Sequence, residues 1–219
     1  MNLKEINIPS LNWLLGFALS HVLSGAEGGY RRDLYDVVIV RDHDTTGSFN
    51  YHETDLYGAE TNYIIVSEAR PVREWAIGHE IGHIIWRNRF AKTTAGFIDP
   101  IGGRDVVREI FCDVQGIVRF ARKAKMTITA NLVKEIGLVC IQYSNWRDTG
   151  RNGTFCGMNV STKPVTGSGW EYSNRFKFIY ENFSTIFPNG KYSEEGFMAS
   201  LKGLRAFYAP LIVLMKNAA

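Results

Sequence analysis

The pentapeptide His79-Glu80-Ile81-Gly82-His83 constrains this chain more than any other stretch. Residues four apart on an α-helix stand one turn above each other on the same face. If Ala76–Arg87 is helical, His79 and His83 offer two imidazole nitrogens to a single metal ion. Glu80 then reaches a water held beside that ion and can take its proton. Trp75, Ala76, Ile77, Ile81, Ile84, Ile85 and Trp86 make the segment apolar around much of its circumference, which predicts burial. Two histidines and a glutamate on a buried helix need partners, because unsatisfied polar groups there are costly. A metal supplies them. The competing reading is a metal-free helix with surface or core histidines.

A catalytic zinc site keeps three protein ligands and an open position for water. The residues after His83, I-I-W-R-N-R-F, hold no third histidine, and no histidine follows anywhere in the chain. The third donor is then a carboxylate or a cysteine. The segment Arg108–Gly116, R-E-I-F-C-D-V-Q-G, places Glu109 and Asp113 four apart, on one face of a second helix. Glu109 can bind the metal. Asp113 can accept the free ring N–H of a ligand histidine and fix its tautomer. Cys112 and Asp105 are rival donors, and an exposed acidic pair is the plain alternative.

H-E-I-G-H followed by E-x-x-x-D resembles the gluzincins, zinc peptidases with a His, His, Glu site. Within them the short spacing and E-I-F-C-D look like the ImmA/IrrE group of small intracellular metallopeptidases. The resemblance covers about Val37 to Ala124. It implies His79, His83 and Glu109 as zinc ligands, Glu80 as general base, and Asp113 as the carboxylate behind a ligand histidine. Cys112 stands where that group usually has alanine. The resemblance also implies a specific protein or peptide substrate, often a transcriptional repressor, and one Zn2+ per chain.

The rest of the chain sets the frame. Its 219 residues favour one domain, or one with an appended half: a zincin-like core with an N-terminal helix over 1–125, and a helical extension over 126–219 packed on it. Val37–Val40, Ser48–His52 and Asn62–Ser67 read as three strands. The expected fold class is therefore α+β, with a small, mostly antiparallel sheet packed on the H-E-x-x-H helix and a mainly helical C-terminal half. Pro71 suits the opening of that helix. Asn131–Tyr143, Trp170–Phe187 and a segment begun by Ser193 read as further helices, with a loop over Asn145–Gly169. Tyr172 and Tyr180 are open candidates for an oxyanion donor.

A net charge of +3, with Arg119, Arg122, Lys123 and Lys125 as its most basic short run, carries no strong nucleic-acid signal. Three cysteines without a C-x-x-C favour a reducing, cytoplasmic setting over a disulfide framework. Trp13–Leu23 reads as an amphipathic helix capped by Ser10; a secretory leader cleaved after Ala26 is the alternative. No stretch reaches the roughly 20 apolar residues of a spanning helix. The expected function is zinc-dependent endopeptidase cleavage of a specific protein. The alternative is a regulatory or binding protein with a structural or vestigial metal site.

Overall fold

The structure is a computed structural model that describes residues 3–8, 37–42, 48–54, 60–67, 72–87, 106–148 and 168–209. The expected N-terminal helix, Pro71, the 88–104 loop, Asp105 and the tail after Ala209 lie outside these residues. Four strands come first: β1 (Leu3–Ile8), β2 (Val37–Asp42), β3 (Ser48–Thr54) and β4 (Glu60–Ser67). Four longer or shorter helices follow: α1 (Arg73–Ile85), α2 (Val106–Ala124), α3 (Ala130–Asp148) and α4 (Ser168–Glu181). The chain then makes α5 (Phe183–Ile186), a 3-10 turn, α6 (Glu194–Ser200) and a second 3-10 turn. Ser193 caps α6, its hydroxyl accepting the Gly196 amide at 3.0 Å. Residues 145–148, expected in a loop, continue α3.

The expected fold class is overturned. The described structure is dominated by helix packed on helix. Its larger core cluster, from Trp75 through Phe111, Val133, Ile179 and Phe197 to Tyr208, contains no strand residue. Nor is the sheet mostly antiparallel. Its order is β1-β2-β4-β3, with β1–β2 and β2–β4 parallel and only β3–β4 antiparallel. Strand alternation reports burial on one face but not the direction of the neighbour, and β1 was not foreseen at all. The sheet's described share of the core is small: Ile39, Ile64 and Val66 meet Ile77, Ile81 and Ile84 of α1 in a separate cluster.

The contact that matters most is α1 against α2. Glycines let the two backbones approach. A Cβ on Gly116 would stand 2.5 Å from the Trp75 ring, closer than any real side chain sits. Arg119 of α2, itself buried, reaches Glu74 of α1 through Nε and Nη2, both at 2.9 Å. That ion pair and the glycine seam set the register that brings the acidic face of α2 to the histidine face of α1. Among the described residues no helix is long and apolar enough to cross a membrane.

Candidate metal centre

Three helices build the site. Along α1, Trp75, His79 and His83 form one stripe at four-residue intervals. The ring centroids are 5.3 Å apart for Trp75–His79 and 4.9 Å for His79–His83. Opposite them on α2 stand Glu109, Cys112 and Asp113. From α4 comes Arg175, buried, with its guanidinium 4.5 Å above the Tyr172 ring. Glu80 is 7% exposed and so lies inside the protein with the histidines.

Asp113 is fully buried, and its Oδ1 accepts from Nδ1 of His79 at 2.9 Å. That bond leaves Nε2 as the nitrogen able to hold a cation. Nε2 of His79 lies 3.4 Å from Glu109 Oε2, and Nε2 of His83 lies 3.7 Å from Glu109 Oε1. Zinc bonds of about 2.0–2.2 Å in a tetrahedron separate the donors by about 3.3–3.5 Å. The first spacing matches that edge and the second is slightly longer, each to a different oxygen of the carboxylate. Glu109 thus stands beside both histidines as a candidate donor.

Cys112 also borders this space. A nitrogen of His79, a nitrogen of His83 and the Cys112 sulfur all lie within 4.8 Å of one another, so these three residues can hold a metal ion. The two candidate third donors differ in charge. Burial opposes ionisation of Glu109, but the hydrogen bond and charge of His79, followed by Arg175 and His83, hold its carboxyl down at about 2. Burial pushes the Cys112 thiol well up, and the carboxylates of Glu109, Asp113 and Glu80 push it further. Glu109 thus offers a ready anion, whereas Cys112 must lose a proton beside three carboxylates. Cys112 is the donor that stands within mutual reach of both histidines, and Glu109 is the one already ionised.

The electrostatics invite positive charge. Burial disfavours a proton on His79, but hydrogen bonds with Asp113 and Glu109, aided by the charges of Asp113 and Glu80, push its imidazole up to about 10. His83 moves down, first through burial and then through the charge on His79. Three carboxylates, Glu80, Glu109 and Asp113, surround two imidazoles, with Arg175 the buried guanidinium against them. Arg108, at 3.6 Å from Glu109 Oε1, is 42% exposed at the rim. A cation between the histidines would compete with a proton on His79.

His79, Glu80, His83, Glu109 and Asp113, singled out from the sequence, lie together, with His79, Glu80 and Asp113 buried and His83 and Glu109 partly exposed. Of the two tyrosines, Tyr172 packs beside Trp75 at 5.9 Å, whereas Tyr180 is 48% exposed. Sequence reading missed Arg175. Its signal was a lone arginine inside the aromatic run W-E-Y-S-N-R-F-K-F-I-Y, a run read as core packing. Comparison with protein-family models, with curated proteins and with solved structures found no match for this chain.

Proposed function

We propose that the chain is a zinc-dependent endopeptidase acting on a specific protein target. One observation carries the reading: the two Nε2 atoms face the two oxygens of Glu109 at 3.4 and 3.7 Å while Nδ1 of His79 is held by Asp113. When bound, zinc supplies Lewis acidity, polarising a scissile carbonyl and acidifying a water. His79, His83 and Glu109 hold the ion. Asp113 fixes the His79 tautomer. Glu80 takes the water's proton and delivers it to the leaving amine. Strand β3 is an edge of the described sheet and runs near α1, so its backbone offers a place for an extended substrate to add as a strand. A transcriptional repressor is the target class that the sequence resemblance implies, and buried cysteines such as Cys112 suit a reducing compartment.

A second reading has its own observation. Cys112 within reach of both histidines would fill the open position and make the site structural, as in a regulatory or binding protein. The deciding experiment is metal content together with Glu80→Gln. The endopeptidase reading expects about one zinc per chain in both proteins, and loss of cleavage of the protein target in the variant. Equal cleavage by both would remove Glu80 from the chemistry. A parent that takes up no zinc, even on titration, would sink the reading altogether.

A further inference from the structure

We infer that Arg175 is a positioning residue of the metal centre, so that docking of α4 and binding of the metal are one coupled event. The inference rests on the zinc reading above and adds the C-terminal half to it. Arg175 Nε donates to Asp113 Oδ2 at 2.6 Å, and Asp113 Oδ1 accepts from His79 Nδ1 at 2.9 Å. The carboxylate is therefore gripped at both oxygens, and its plane, which aims His79, is set from α4. A terminal nitrogen of the same guanidinium lies 4.0 Å from Glu109 Oε2, so one side chain faces both acidic residues of α2.

The placement of Arg175 follows from how its neighbours on α4 pack. Tyr172 lies under its guanidinium at 4.5 Å and packs on Trp75 at 5.9 Å. Phe176, the next residue, meets Trp75 at 5.9 Å, and Trp75 in turn lies against His79. Phe176 is seated by α3, where a Cβ on Gly137 would come within 2.8 Å of its ring. Residues beyond 125 thus hold the arginine, and the arginine holds the group that orients a ligand. If α4 leaves, Asp113 loses the partner of its second oxygen. If the metal binds, His79 and Asp113 are ordered, and α4 gains a fixed partner. By linkage each event favours the other to the same extent.

The sign of the effect separates positioning from simple charge. Removing a positive charge beside a cation site by itself tightens cation binding. Loss of an orienting partner behind a ligand weakens metal binding by about 10–100-fold. The test is zinc affinity by competition with a chromogenic chelator, measured on the full chain for the parent, Arg175→Met and Arg175→Lys. Arg175→Met is expected to bind zinc about 10–100-fold more weakly, with Arg175→Lys in between. Alongside, hydrogen exchange of the parent with and without zinc is expected to show α4 amides slowed about tenfold by the metal. Unchanged or tighter zinc binding by a folded Arg175→Met protein would overturn the inference while leaving the zinc reading standing. If Arg175→Met does not fold, the parent's exchange decides: no zinc-dependent slowing in α4 overturns the inference. A parent that binds no zinc fails the functional reading itself and takes the coupling with it.

Discussion

Gly82 and Cys112 touch across the α1–α2 seam so closely that a Cβ on Gly82 would lie 2.7 Å from the Cys112 Cα. Gly82 immediately precedes His83, and Cys112 lies one turn beyond Glu109. The absence of a side chain at 82 therefore sets the gap that the metal donors must span. Alanine there has a better helix propensity by about 1 kcal/mol, but the clash is with backbone and cannot relax by a rotamer change. Overpacking of this kind costs about 1–3 kcal/mol. Gly82→Ala is expected to unfold at lower urea concentration and to bind zinc more weakly, because α2 is pushed off the histidines. A variant as stable as the parent, with unchanged zinc affinity, would show that the two helices are free to slide.

Glu109 and Cys112 make opposite predictions for the third ligand. Glu109→Gln removes an anion whose oxygens lie 3.4 and 3.7 Å from the histidine nitrogens. It is expected to lose zinc at concentrations where the parent is saturated. Cys112→Ala removes a thiol that burial and three carboxylates keep protonated. Zinc stoichiometry is expected to survive that change, with no sulfur-to-metal charge-transfer band in the cobalt-substituted parent. The reverse pattern, with Cys112→Ala losing metal and a strong thiolate band in the parent, would favour the structural-site reading.

What the sequence disclosed and what it hid follow from the range of each signal. The relation of His79 to His83, or of Glu109 to Asp113, is a helical spacing, and helical spacing is local. The pairing of those two faces was read from the need for a third donor and repeated by the resemblance, and the glycines at Gly82 and Gly116 let the two helices approach. Arg175 is different. Along α4 it is one charged residue among aromatics, and nothing local says that its neighbour in space lies sixty-two positions back at Asp113. The sheet failed for a related reason. The apolar run within Asn62–Ser67 marks a strand, but nothing in it says that one neighbour is the parallel Val37–Asp42 and the other the antiparallel β3.

Asp113 has two partners and no exposure, so it is the most sensitive point of the site. Asp113→Asn keeps the shape but replaces one accepting oxygen with a donor. Either Arg175 or His79 then faces an N–H where it needs an acceptor. Breaking a buried ion pair from one side costs about 3–5 kcal/mol, and disturbing the group behind a ligand histidine costs about 10–100-fold in metal affinity. Urea unfolding of the metal-free protein isolates the first effect, and chelator competition isolates the second. A variant matching the parent in both would mean that neither contact matters.

At the end of α2, Lys125 sits at φ 54, in the left-handed region, while Met126 N–H bonds Ala121 O at 2.9 Å and Lys125 N–H bonds Arg122 O at 3.3 Å. This is the pattern that closes helix ends, and glycine is the residue that adopts it without strain. A side chain with a Cβ gives up about 1–2 kcal/mol in that conformation, against which glycine's greater freedom in the unfolded chain returns about 0.5–1 kcal/mol. Lys125 is exposed, so no buried contact is lost. Lys125→Gly is expected to raise stability by about 0.5–1 kcal/mol, read as a higher urea midpoint at unchanged slope, with zinc affinity untouched. A lower midpoint would show that the turn between α2 and α3 is held by the lysine side chain rather than by the backbone pattern.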